Sequence, residues 1–356
     1  MNNKFEKFNG GGLCGLQNLG NTCFMNSCIQ VLSHTYEFNL FLDNNIYKTK
    51  LKICAESFLI VEWDNLRKSL WRNNTALISP ETFLNKIHRI SELKGNDNFS
   101  GFLQNDMSEF LLFVIDCFHT SLSRNVNMRV KGKCMDKMDE TAMKCYSMMK
   151  NMYSNDYSEI LKIFYAIHVS QIISIETGEI MNVTPEPFFI VHLPLPPNTN
   201  STTLEACFDN YVKGEIMDSE NSWFNEKTQK KECVVKKLCF WCFPEILVID
   251  IKRFTNRNVK NKCLVTFPLN ELNLSKYVIG YNSESYVYEL YGVCNHSGNV
   301  NGGHYTCHIK NSNGKWYHFN DATVSEVKNE TAIITSKAYC FFYRKKTINN
   351  IYNGNK

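Results

Sequence analysis

The sequence has no apolar run approaching the ~18 to 20 residues that span a bilayer, and its opening, MNNKFEKFNGGG, lacks the apolar core of a secretory signal. Neither a membrane nor a secreted protein is therefore expected. Charge of one sign is scarce as well: 39 basic against 35 acidic residues leave +4 over 356 residues, too little to favour a nucleic-acid partner. No internal repeat of roughly 20 to 50 residues is visible. A disulfide framework is also missing, because the 15 cysteines are odd in number and irregularly spaced. Reduced thiols in an intracellular protein, cytoplasmic or nuclear, are expected, most of them acting as small buried hydrophobes.

What is present is an ordinary globular composition, 44% hydrophobic with 24 Phe and 17 Tyr. The length exceeds the usual ~100 to 200 residues of one domain, yet one core with subdomains accommodates it. From about Asn21 to His119 apolar residues recur at spacings of three and four, as in SEFLLFVIDCFHTSL, which predicts helices. The Met- and Lys-rich stretch around CMDKMDETAMKCYSMMKNMY predicts an irregular helical insertion whose methionines face a core. After Ile160 short β-rich runs bounded by turns take over, interrupted by the helical run TLEACFDNYVKGE. The fold class is α+β: a helical lobe, about 13–160, packed on an antiparallel or mixed sheet lobe, about 161–346, with polar tails at 1–12 and 347–356.

Two stretches carry chemistry. In NLGNTCFMN, Asn21 and Thr22 are good N-cap types and Phe24, Cys28, Val31 and Leu32 recur on one face, so Cys23 falls in a first helical turn. Free N–H groups and the helix dipole there favour a thiolate, so Cys23 is expected to ionise more readily than a free thiol. Backbone amides of Gly20 to Cys23 and the side-chain amide of Asn18 are suited to hold an oxyanion. The bland alternative is a buried thiol on a capped helix, which Cys14 and Cys28 fit without further comment.

The second stretch supplies the imidazole that a thiol nucleophile needs. In GGHYTCHIKNSNGKWYHFND, Gly302-Gly303 lead His304 onto a strand, Asn313-Gly314 marks a hairpin, and the return strand carries Asn320 and Asp321. A plain two-residue Asn-Gly turn pairs Ser312 with Lys315 and puts Asp321, not Asn320, on the face of His304. For Asn320 to orient His304, the loop must be odd in length or bulged. His296 is read as a mobile residue in a Gly/Asn/Ser loop, NHSGNVNGG, and His119, His308 and His318 as structural.

Taken together these boxes resemble the ubiquitin-specific proteases, papain-like cysteine peptidases. The resemblance runs through GLQNLGNTCFMNSCIQVL, LQNDMSEFLLFVID, FFIVHLPLP, FPEILVIDIKRF, VTFPLN, the histidine box and AYCFFYRK, nearly the whole chain. It implies a domain of thumb, palm and fingers that grips ubiquitin and draws its Gly-Gly tail into a cleft. Position by position it implies Cys23 as nucleophile, His304 as base, Asn320 as the residue orienting it, Asn18 as oxyanion donor and Asp321 as an acid that can supplement the third member. Asp106 matches a residue that binds the extended tail, although by itself it reads as a solvated acid or helix cap, and Tyr305 matches an aromatic of the glycine channel.

The sequence departs from the family at the fingertip. Many members hold zinc there with two Cys-x-x-Cys pairs, whose positions here read Ser174, Thr177, Asn225 and Thr228. Cys239 and Cys242 form a single pair, short of four ligands, so no metal or other cofactor is expected. Ubiquitin and ubiquitinated proteins are the expected partners. Two alternatives stay open: the same chemistry on another modifier with a Gly-Gly tail, or a ubiquitin-binding module that does no catalysis.

Overall fold

The computed structural model describes residues 3–72, 75–255, 259–299 and 302–346. The helices are α1 (Cys23–Ser33), α2 (Tyr36–Asp43), α3 (Glu56–Leu70), α4 (Glu81–Leu93), α5 (Met107–Leu122), α6 (Lys137–Tyr153), α7 (Glu159–Phe164) and α8 (Leu204–Val212). Seven precede the first long strand, as the periodicity of the first half requires. Among the described residues no helix is long and apolar enough to cross a membrane.

The central sheet runs in the order Thr323–Val327, Trp316–Asn320, Gly302–Lys310, Val287–Asn299, Ala338–Lys345, Ile246–Lys252, Ile190–Pro194. It is mixed: Ile246–Lys252 and Ile190–Pro194 are parallel and the other neighbours antiparallel. Residues 246–249 form a continuous apolar run because both faces of the strand are covered. Ile246 and Val248 join the core under α1 and α5, whereas Leu247, Ile249 and Ile251 join a second core with α8. Every residue of α1 is buried, and the helix packs on Gly302–Lys310 through Tyr305, Cys307 and Ile309. This contact sets the cysteine box against the histidine strand.

A second sheet runs in the order Ile180–Phe188, Ala166–Ser174, Val234–Cys242, Glu215–Met217. Helix α6 lies on it as a regular helix, not an irregular insertion, and its methionines meet the expectation only in part: Met148 and Met149 pack against the core beneath the helix. The small Ala142 and Cys145 take the contact with Ile167, Val169 and Trp241, which leaves Met138, Met143 and Met152 exposed.

The four positions that the resemblance aligns with a zinc site carry Ser174, Thr177, Asn225 and Thr228. Hydroxyls and an amide replace the thiolates that zinc prefers, and they are engaged in turns. Ser174 Oγ accepts the Thr177 N–H (3.2 Å) and Thr177 Oγ1 the Glu179 N–H (3.2 Å). In the hairpin of Trp223–Asn225 and Lys230–Glu232, the Asn225 amide (2.9 Å) and the Thr228 hydroxyl (2.6 Å) both donate to Glu232 Oε1.

The first residues are more than a polar tail: Asn3–Phe8 forms a 3-10 turn, and Phe8 is buried against Tyr36 with the rings stacked at 4.5 Å. Residues 347–356 lie outside the described residues.

Candidate active site

Thr22 is the N-cap residue of α1, but its hydroxyl does not cap the helix. It accepts the Leu19 N–H (2.9 Å) and donates to Asn18 Oδ1 (3.3 Å). Forgoing a side-chain cap costs about 0.5–2 kcal/mol, of which the bond to Leu19 returns about 1. With no side chain capping the first turn, the backbone N–H groups of Cys23 and Phe24, together with the Tyr305 backbone, favour the ionised Cys23 sulfur. Gly20 (φ 101°) and Asn21 (φ 56°) both lie in the left-handed region, and this is how the chain turns sharply into the helix.

Asn18 is fixed at both ends of its amide. Its Oδ1 accepts N–H groups from Gly20 (3.1 Å) and Thr22 (3.2 Å), and its Nδ2 donates to Asp321 Oδ2 (2.9 Å). One of the two Nδ2 hydrogens is thus left for another acceptor. The other Asp321 oxygen accepts from Asn26 Nδ2 (2.8 Å), and its backbone carbonyl accepts the Leu16 N–H (2.8 Å). Asp321 therefore serves the cysteine loop. This corrects its expected place beside the histidine as a supplement to the third member; the left-handed φ of 47° swings it away from the strand.

His304 Nε2 bonds Asn320 Oδ1 at 2.7 Å. Because the amide oxygen only accepts, Nε2 carries the hydrogen, and Nδ1 is the nitrogen free to take a proton. The register explains why Asn320 reaches the ring. Lys310 pairs with Trp316 and His308 with His318, so even-numbered residues of both strands share a face. The loop is three residues long, Ser312 to Gly314, closed by Asn311 N–H to Lys315 O and Gly314 N–H to Asn311 O (both 2.9 Å). Gly314 takes the left-handed bulge position (φ 83°), so the odd-length alternative holds, not the plain two-residue turn.

The Cys23 thiol is raised above its ordinary value, against expectation. Burial is the largest cause; the Tyr305 backbone bond opposes it, and the Asp321 charge adds to it. At 3% exposure, desolvation outweighs the helix N-terminus. The attacking species is the thiolate, so alkylation of Cys23 by iodoacetamide in the free protein should be slower at pH 7 than that of a free thiol and still be climbing above pH 9. Peptide-level mass spectrometry reads this, and a rate already flat below pH 7 would show a preformed ion pair instead.

Asp106 is the N-cap of α5, its Oδ1 accepting from Ser108 (2.8 Å) and Glu109 (3.1 Å) N–H groups. Its Oδ2 accepts the hydroxyls of Tyr305 and Tyr339. Burial, then Asp106, holds the Tyr305 phenol well above its usual range, so it stays a donor. His296 is buried on the strand Val287–Asn299 rather than on a mobile loop, its ring tilted against Tyr305 at 4.6 Å with Lys260 Nζ 2.9 Å from its Nδ1. Burial, then Lys260, pulls it down to about 4, so the ring is neutral. The tip of that loop, 300–301, lies outside the described residues. His308 bonds Asn295 (3.1 Å) and His119 bonds Ser158 (2.7 Å), which are structural roles.

Three residues to which the sequence assigns no role in the site complete it. Gln104 bridges the two boxes, donating to Asn21 Oδ1 (3.4 Å) and accepting the Gly303 N–H (2.6 Å). Asn26 grips Asp321 from inside α1. At Gly15 a Cβ would fall 2.2 Å from the Ala322 carbonyl oxygen, so only glycine lets the Asp321 turn approach. All three stand inside or beside the boxes already singled out, but nothing local marks their partners, which lie from 83 to more than 300 residues away. All 15 cysteines are free thiols.

A thiol at the start of a buried helix, facing a strand whose imidazole is held by an amide, is the arrangement of a papain-like cysteine peptidase. The family model described as "Ubiquitin carboxyl-terminal hydrolase" matches residues 14–343, and the chain belongs to that family. It is 33% identical to ubiquitin carboxyl-terminal hydrolase Usp2 of Drosophila melanogaster over 94% of this chain and 35% of that protein. To ubiquitin carboxyl-terminal hydrolase 2 it is 31% identical both in Homo sapiens (93% of this chain, 55% of that protein) and in Gallus gallus (93% of each). The chain thus spans about a third to about half of the length of the first two relatives. Among solved structures, a SAGA DUB module of Ubp8, Sgf11, Sus1 and Sgf73 bound to monoubiquitin matches with a TM-score of 0.73 at 25% identity, covering 97% of this chain and 71% of that one.

Proposed function

We propose that the chain is a deubiquitinating thiol hydrolase that cleaves peptide or isopeptide bonds after the C-terminal glycine of ubiquitin. The observation that carries the reading is the Asn18 amide, fixed at both ends beside the uncapped N-terminus that holds Cys23, while Asn320 fixes His304. Relatives named ubiquitin carboxyl-terminal hydrolases and a structural neighbour bound to monoubiquitin support ubiquitin as the partner. His304 Nδ1 takes the thiol proton as sulfur attacks the glycine carbonyl, and Asn18 Nδ2–H with the Cys23 N–H holds the oxyanion. His304 then protonates the departing amine, and water activated by the same ring cleaves the thioester. Asp106 and Tyr305 line the path of the tail. In this reading 13–160 is the thumb and 161–346 the fingers and palm. No metal takes part, and the free thiols fit a cytoplasmic or nuclear setting.

The test is turnover of a ubiquitin C-terminal fluorogenic substrate beside other Gly-Gly modifiers, with and without chelator, using Cys23→Ala as control. Turnover of ubiquitin that the chelator leaves unchanged and Cys23→Ala removes is expected. Preference for another modifier, or equal turnover by the variant, would refute the reading; loss in chelator would refute the metal-free part.

A further inference from the structure

We propose that the segment from Phe5 into the start of the cysteine box at Leu16 is a strap that holds both ends of the strand carrying Asn320 and so positions the His304–Asn320 pair. The inference rests on the thiol hydrolase reading for its consequence in turnover, but not for its geometry.

At the loop end the strap meets Asn311, which is buried. Asn311 Oδ1 accepts the Gly10 N–H (3.0 Å) and the Asn313 N–H (3.2 Å), and its Nδ2 donates to the Gly11 carbonyl (2.8 Å). One side chain thus ties the strap to the loop that sets the hairpin register. At the other end the Leu16 N–H bonds the Asp321 carbonyl (2.8 Å), and Gly15 lies against Ala322. Between Asn311 and Asp321 runs Trp316–Asn320, and Asn320 is its last residue.

The strap is anchored to the body of the protein and not to the hairpin alone. Phe8 stacks on Tyr36 at 4.5 Å and meets Trp71 edge-on at 5.2 Å, while Lys7 pairs with Asp43 at 2.5 Å. Gly12, at φ 72°, lies so close to the Trp71 ring that a Cβ would fall 2.7 Å from it. Tyr36 in turn accepts the Ser312 N–H (2.9 Å), so the same aromatic carries strap and loop.

This matters because His304 and Asn320 are exposed and no packed core locks their rotamers. Their 2.7 Å bond depends on where the two backbones are held. The neighbouring strand Gly302–Lys310 holds Trp316–Asn320 in the ladder only from Lys310 to Cys307; on the other side Asn320 pairs with Thr323, and Leu16 and Gly15 hold the Asp321–Ala322 turn between those two residues. Asn311 is therefore a positioning residue that acts through the strand.

The test compares wild type, Asn311→Ala, a chain lacking residues 1–11, and the two changes combined. Three readouts are taken: kcat and KM on a ubiquitin reporter, the ¹⁵N signature of the His304 imidazole, and the melting temperature. Each single change is expected to lower kcat about 10- to 100-fold with KM within about twofold, and to replace a pure Nε2–H tautomer by a mixture. Because both act through one clip, the combined loss should match that of the truncation alone and not the product of the two. Wild-type kcat and tautomer in both variants, a fall in melting temperature alone, or losses that multiply would each overturn the proposal. Were the wild type inert on ubiquitin, the functional reading would fall while the imidazole signature still decided the strap.

Discussion

Replacing Asn320 with alanine is expected to lower kcat on a ubiquitin reporter by about 10²- to 10⁴-fold, with KM close to its starting value. The amide oxygen is the group bonded to His304 Nε2, and it fixes both the tautomer and the ring plane. Without it the neutral ring is free to carry its hydrogen on Nδ1, where it cannot take the thiol proton. The loss is expected in the chemical step, because the bond that Asn320 makes is to the imidazole that takes the proton. Steady-state kinetics check it: a rise in KM with unchanged kcat would move Asn320 from orienting the base to binding substrate. Asp321→Ala is the contrasting variant, since its carboxylate faces Asn18 and Asn26 and not the ring.

Asn18→Ala is expected to cost about 10²- to 10³-fold in kcat, the range for removing one preorganised oxyanion donor. The companion Asp321→Asn should move two readouts in opposite directions. Its charge is one of the causes that raise the Cys23 thiol, so removing it lowers the thiol towards its ordinary value and speeds alkylation at neutral pH. The same change weakens the anchor of Asn18 Nδ2 and slows turnover. If both readouts fell together, loss of fold would be the explanation; if turnover rose with alkylation, thiol ionisation and not oxyanion placement would limit the rate.

Much of this arrangement was legible in the sequence. Period 3.6 placed α1 and α5, alternation and turn residues placed the long strands, and the glycines before His304 marked its strand. The hairpin was legible only as a condition, because Asn-Gly serves a two-residue turn and a three-residue loop alike. The outcome depends on Asn311, Tyr36 and the strap, whose contacts span some 300 residues. The thiol was misjudged for a related reason: a helix start is visible locally, whereas burial by a distant sheet and the approach of Asp321 are not. His296 looked mobile because Gly and Asn surround it, but those glycines permit close packing. A Cβ on Gly303 would fall 2.1 Å from the His296 ring nitrogen. Thr22 looked like a cap and is one by position, with its hydroxyl turned to Leu19.

In the proposed function Cys23 is the residue that receives ubiquitin. The most direct measurement is to incubate the protein with ubiquitin bearing a C-terminal electrophile and map the adduct by mass spectrometry. One ubiquitin per chain, attached at Cys23 and absent from Cys23→Ala, is expected. No adduct, or attachment at one of the other thiols, would contradict it.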